Sequence, residues 1–185
     1  MSIKIEDGKG KGFSAGVDEN NKLLTASVTV TKEHEINLVD GQAYSVFTNV
    51  TPTGGGDCFM YLKNNSNEDL IVSEMMIYSA TAESFSIKLG DEGTPIGGTA
   101  TTPANRNAGS GNAADVTALT GVDITGLSGG NVVFGFTKGA EANSNRIAPA
   151  SGFIVPKNKV LTVYVETGGV AIRFGMGISF HNKSK

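Results

Sequence analysis

The chain contains no tryptophan, one cysteine and two histidines, and each scarcity removes a class of chemistry. A single thiol, Cys58, excludes an internal disulfide framework. His34 and His181 together with that cysteine supply too few ligands for a histidine-rich zinc site, which takes about four. Lysine plus arginine (15) falls below aspartate plus glutamate (18), for a net charge of -3. That balance lacks the basic footprint of a nucleic-acid binder. The longest apolar runs are a few residues, so no membrane span is expected, and the opening MSIKIEDGKGKG lacks the apolar stretch of a secretory signal.

What is present is glycine (25 of 185 residues), threonine (17), serine (15) and asparagine (15), a turn-rich and β-compatible composition. The length is a prior for one domain with a substantial core. Charge is unevenly spread: residues 36–150 carry 11 acids against 5 bases, and residues 151–185 carry 5 bases against 1 acid. Residues 1–21 alternate Gly and Lys, hold few large apolar groups and end in Asp18-Glu19-Asn20-Asn21. This reads as an extended arm in which Phe13 and Val17 are the anchors available to a partner surface.

From residue 22 onward the pattern is that of a single β-domain. Leu24, Ala26, Val28 and Val30 alternate with Thr25, Ser27, Thr29 and Thr31 at period 2, the signature of a half-buried strand. Strands follow over 43–50, 58–63 (apolar on both faces, as a central strand is), 70–78 and 84–89. The run LIVSEMMIY at 70–78 also fits a helical period in part; its β-branched start and flanking turn clusters decide for strand. Residues 90–131 are the least regular, with short strands expected near Thr99 and Val122, a helical turn near Asp115 with Asn112 as N-cap, and a role as variable binding surface. Strands return at 132–137, 152–155 and 161–165, and Glu166-Thr167-Gly168-Gly169 reads as a hairpin connection.

The last strand has the clearest alternation. Val170, Ile172, Phe174, Met176, Ile178 and Phe180 form an apolar face, and Ala171, Arg173, Gly175, Gly177, Ser179 and His181 form a small and polar one. Ala171, Gly175 and Gly177 leave room for a second backbone, from a loop or a neighbouring subunit. Strands without a repeat, joined by turns and without a helix of normal length, point to an all-β antiparallel β-sandwich of jelly-roll form. An immunoglobulin-like sandwich is the second choice, although it normally needs only about 100 residues. The core is expected to include Leu24, Val28, Val30, Val46, Ile87, Phe134, Leu161, Val163, Phe174, Ile178 and Phe180.

No catalytic signature emerges. His34 in KEHE lacks the second histidine of HExxH and reads as a solvated strand end. Cys58 reads as a buried core thiol, and no serine sits in a GxSxG elbow. The carboxylate pairs Glu68-Asp69 and Asp91-Glu92 fall in turns, and GKGKG at 8–12 lacks the strand and helix of a phosphate loop. The expectation is a protein that is not an enzyme, with no catalytic residue, cofactor or metal.

Four segments together carry a resemblance. They are Ala15-Gly16-Val17-Asp18-Glu19-Asn20-Asn21-Lys22-Leu23-Leu24-Thr25-Ala26; Tyr61-Leu62-Lys63-Asn64 followed by Leu70-Ile71-Val72; Gly97-Gly98-Thr99 through Pro103-Ala104-Asn105-Arg106-Asn107-Ala108-Gly109-Ser110; and Ile154-Val155-Pro156-Lys157. The chain resembles the virion structural proteins of tailed bacteriophages, of the head decoration or auxiliary capsid type built on a jelly roll. The resemblance implies a non-enzymatic protein made in the host cytoplasm that sits on the capsid exterior as a homotrimer. Its arm (Phe13, Val17) would touch the major capsid protein or another virion protein, with no nucleic acid or membrane involved. A receptor- or carbohydrate-binding β-sandwich module of a phage fibre or tail is the alternative.

Overall fold

The computed structural model describes residues 32–138, 145–148 and 152–181. The arm at 1–21, with Phe13 and Val17, and the strand expected through Leu24, Val28 and Val30 lie outside the described residues.

Helix is confined, among the described residues, to a turn α1 (Lys32–Glu35) that continues as a π-helical turn, Ile36–Asp40. His34 therefore sits in a helical turn and not at a strand end; it is exposed there. The strands are β1 (Ala43–Val50), β2 (Cys58–Asn64), β3 (Asp69–Ser79), β4 (Glu83–Leu89), β5 (Glu92–Ile96), β6 (Thr99–Ala100), β7 (Ala104–Asn105) and β8 (Val116–Thr120). They continue as β9 (Thr125–Ser128), β10 (Asn131–Lys138), β11 (Asn145–Ile147), β12 (Phe153–Val155), β13 (Val160–Val165) and β14 (Ile172–His181). None of the described helices is long and apolar enough to cross a membrane.

Eight of these strands form two four-stranded layers, β12-β3-β14-β1 and β10-β4-β13-β2, with every neighbour antiparallel. Taken in chain order, these eight strands alternate between the two layers at every step except from β4 to β10, which lie side by side, and this is the jelly-roll winding. The connection at 166–169 is thus a corner between sheets and not a hairpin. Local turn chemistry could not reveal this, because the two flanking strands each find a different partner. The corner is held by Glu83, whose buried carboxylate accepts the backbone N–H groups of Thr167 and Gly168, both at 2.9 Å. Gly168 has φ 75°, and a Cβ there would fall 2.4 Å from the carbonyl oxygen of Gly54, so the corner requires glycine twice over.

The residues 90–130 elaborate the sandwich. β8 and then β6 extend the second sheet beyond β2, β7 extends the first beyond β1, and β5 pairs with β9 as a separate ribbon. The strand at Thr99 is present, whereas Val122 falls between β8 and β9. No helical turn forms near Asp115: its carbonyl accepts the N–H of Asn65 at 3.0 Å, and the chain runs directly into the β8 ladder with β2. Asn112 caps the opposite kind of helix end, its Nδ2 donating to the carbonyl of Asp40 at 2.9 Å. Asn107 and Asn105 donate likewise to the carbonyls of Asn37 and Gly41, so the 105–112 loop satisfies the carbonyls that end the helical segment.

The core lies between the layers. Phe59 packs edge-on against Phe174 at 5.6 Å and Phe85 at 6.2 Å, with Val46, Leu62, Ile77, Ile87, Leu161, Val163 and Ile178 buried around them. The ambiguous run of β3 is a strand with one extra residue. Ile178 pairs with Val72 while Gly177 pairs with Glu74, leaving Ser73 as a bulge. Leu70 and Val72 face the core before it, and Met75 and Ile77 after it, so period 2 is broken once and mimics a longer period. β2 is buried on both faces because Ile124 joins Cys58, Tyr61 and Val160 in a second small cluster outside the second sheet. Burial pushes the Cys58 thiol up to about 12, as expected of a core thiol. Phe134 corrects the expected core: it lies on the terminal strand β10, 38% exposed, overhanging the rim against Phe153 and Phe136.

Replacing Phe174 by Ala is expected to cost about 3 to 5 kcal/mol, because its ring is buried edge-on against Phe59 between the sheets. Chemical denaturation of the two proteins measures this; an unchanged midpoint would contradict the packing.

Candidate functional site

The outer face of the first sheet, opposite the core, is where the small residues of β14 lie. β14 is flanked along its length by β1 and β3, which places Ser45, Gly177 and Glu74 in one row across three strands and Phe47, Gly175 and Met76 in the next. The two rows have opposite chemistry.

Across Gly177 lies Arg106, carried in by the loop after β7. Its Nε donates to Ser45 Oγ at 2.9 Å and its Nη2 to Glu74 Oε1 at 3.0 Å, so the guanidinium spans from β1 to β3. A Cβ on Gly177 would fall 2.2 Å from Arg106 Nη2; glycine is the condition for the arginine to lie flat on the sheet. Arg146 from β11 grips the other carboxylate oxygen, Nε at 3.2 Å and Nη2 at 3.0 Å. Partial burial raises the Glu74 pKa, but the hydrogen bonds and charges of Arg106 and Arg146 outweigh it and hold the carboxyl below its usual value of 4.5.

Gly175 has no such cover. Phe47 (64% exposed) and Met76 (48% exposed) stand on either side of it, and with Tyr78 and Arg173 they enclose an apolar recess of about 220 Å³. The nearest atoms to a Cβ at Gly175 are 3.7 and 3.9 Å away, so the floor is open. One cation borders the recess: Arg173, whose guanidinium lies 5.9 Å from the Tyr78 ring centre, whereas the Lys138 ammonium, 5.5 Å from the same ring, is buried and lies outside the lining. Large exposed apolar groups around a shallow pit bordered by one cation suit a protein surface or an apolar side chain. Ala171, placed with these glycines by the sequence pattern, is exposed just before β14 and outside both rows.

A serine and a histidine missed by motif reading also meet on this strand. Ser179 Oγ and His181 Nε2 are 3.1 Å apart, as residues two apart on one strand face can be. Ser179 is only 2% exposed, which closes it to a substrate. The carboxylate pairs divide. Asp91 is buried and accepts Gly130 N–H at 2.8 Å, Tyr164 O–H at 2.8 Å and the Thr162 hydroxyl, a structural pin. Glu92 is exposed, 4.0 Å from Lys159. Glu68 lines a polar groove of about 410 Å³ with Gln42, Tyr44, Asn112, Asp115 and Phe180. Among the described residues no group of three or more His, Cys, Asp or Glu side chains is placed to hold a metal ion.

No protein-family model matches this chain, and no curated protein matches it.

The two glycines are expected to respond differently to the same change. Gly177→Ala should lift the Arg106 guanidinium off the sheet, loosen its bonds to Ser45 and Glu74 and destabilise by about 1 kcal/mol, while Gly175→Ala should be near neutral in thermal unfolding. Equal effects would show the rows to be alike. Because the folded Glu74 carboxyl titrates below 4.5, its stabilising contribution is complete above that pH and is lost as pH falls through the folded value. Glu74→Gln should therefore be less stable than the wild type near neutral pH, by about 1 kcal/mol for a partly exposed pair. The gap should close in acid; a gap independent of pH would contradict the assignment.

Proposed function

We propose that this chain is a non-enzymatic virion structural protein that decorates and reinforces a tailed-phage capsid through protein–protein contacts. The observation that carries the contact is the recess at Gly175: a rigid sheet face that leaves Phe47 and Met76 in water beside a covered, ion-paired row. Such a patch lowers its free energy by burial against protein. The setting on the outside of a phage head, the trimeric state and the role of the arm come from the resemblance of the quoted segments. Repeated copies on a symmetric shell gain avidity, so a shallow patch and a short arm suffice for occupancy. In this reading Phe13 and Val17 of the arm, and Gly175 with its neighbours, meet the major capsid protein or an adjacent subunit, and Gly177 preserves the face by admitting Arg106.

A receptor- or carbohydrate-binding module of a fibre or tail is the second reading. The exposed Phe47 ring near Tyr78 favours it, since sugar and receptor sites use such aromatics.

Electron microscopy of virions carrying a tagged copy separates the two readings. Regular density over the shell is expected; density on the tail or fibres supports the second reading, and a virion without the tag overturns both. In co-sedimentation with empty capsids, Phe47→Asp and deletion of residues 1–21 should each reduce binding while thermal unfolding stays close to that of the intact chain. Full occupancy by both variants would remove this face and the arm from the contact.

A further inference from the structure

Three of the four ends of the two sheets finish in very short strands: β6 and β7 have two residues each, and β11 and β12 have three each. Short terminal strands are one way to keep a sheet from pairing with another chain. The fourth end is β10, eight residues long, paired on one side to β4 and to no other described strand. Its sequence from Asn131 to Thr137, NVVFGFT, carries no charge, and Val132 and Val133 are 60% and 41% exposed.

The ladder tells which of its backbone groups are unpaired by β4. Gly90 N–H donates to the Val160 carbonyl and Glu166 N–H to the Ser84 carbonyl, so the even-numbered residues of β4 bond to β13 and the odd-numbered ones bond to β10. Their partners on β10 are Lys138, Phe136 and Phe134, opposite Glu83, Phe85 and Ile87. The N–H and C=O groups of Gly135 and Thr137 consequently point away from the sheet. A register shift between Val132 and Phe134 bends the start of the strand, which leaves Phe134–Lys138 as the straight, pairable part.

We propose that β10 pairs edge to edge with β10 of a second copy of this chain, antiparallel about a two-fold axis near Phe136. Only an extended strand offers N–H and C=O groups at the spacing that Gly135 and Thr137 require. A second β10 qualifies because its one charged residue, Lys138, falls opposite Phe134 of the other copy in this register, so no like charges face each other, and because a two-fold axis lets one patch serve both copies. The pairing joins the two second sheets into one continuous sheet. Five residues make a small interface, so the association is weak in solution and depends on concentration. This inference does not rest on the proposed function; on a shell it would link neighbouring oligomers.

Sedimentation velocity of the full chain over a wide concentration range tests it, alongside Thr137→Pro and Gly135→Lys. Proline at 137 removes the outward N–H and spares the bonds of Phe136 and Lys138 to β4. Lysine at 135 has room, its Cβ meeting only the Phe85 carbonyl at 3.8 Å, and sets two like charges diagonally across the pair, each opposite Thr137 of the other copy. The wild type is expected to self-associate and both variants to do so at least about tenfold more weakly. Hydrogen exchange on the wild type reads the same contact: the Gly135 and Thr137 amides should be protected in concentrated solution and exchange freely when dilute. A wild type that stays monomeric at every concentration, an oligomer untouched by both variants, or concentration-independent exchange at Gly135 and Thr137 would each overturn the proposal. A capsid-binding result leaves it unaffected in either direction.

Discussion

The two-sidedness of β14 is the constraint from which most of this molecule follows. Its even-numbered residues, Ile172 to Phe180, fill the space between the sheets, and on the opposite face Gly175, Gly177 and Ser179 are small enough for other groups to lie on them. Only a strand hydrogen-bonded on both edges could carry both duties, and β14 is paired with β1 and β3 over nearly its whole length. Through Gly177 it admits Arg106; through Arg106 it anchors the loop whose asparagines cap the helical segment at 36–41. A methyl group at position 177 would be felt along that entire chain of contacts.

Carboxylates do for the corners what apolar packing does for the centre. Glu83 ties the crossover between β13 and β14 by accepting backbone N–H groups, and Asp91 fastens the turn at Gly130 to two hydroxyl groups of β13. Glu74 differs in being matched by two cations. Buried acceptors satisfied by several directed donors hold irregular backbone in one geometry, which apolar contact alone does poorly. That explains how so glycine- and asparagine-rich a sequence maintains long connections without disulfides.

The two proposed contacts differ in their physics. The recess around Gly175 presents side chains, and its selectivity comes from shape and the Arg173 cation. The edge at β10 presents backbone, and its selectivity comes from the register of N–H and C=O groups. The first suits an unlike partner. The second suits a like one.

Alternation at period 2 was enough to find the central strands, to place Val46, Ile87, Phe174 and Ile178 inside, and to set Gly175 and Gly177 on the opposite face, because side-chain direction along a strand is a local property. The sandwich class was legible for the same reason. What failed were three inferences that depended on a particular segment's neighbours. Phe134 alternates as a core residue does, yet terminal position leaves it half covered. Glu166–Gly169 has hairpin composition, yet its flanking strands bond to different sheets. Asn112 is a plausible helix N-cap, yet it serves carbonyls distant in sequence. The residues themselves determined which faces are apolar and which are small. Pairing order, sheet ends and the meeting of Arg106 with Gly177 were decided only in the tertiary structure, because they depend on hydrogen bonds between segments far apart in the chain, and local pattern carries no record of which segments meet.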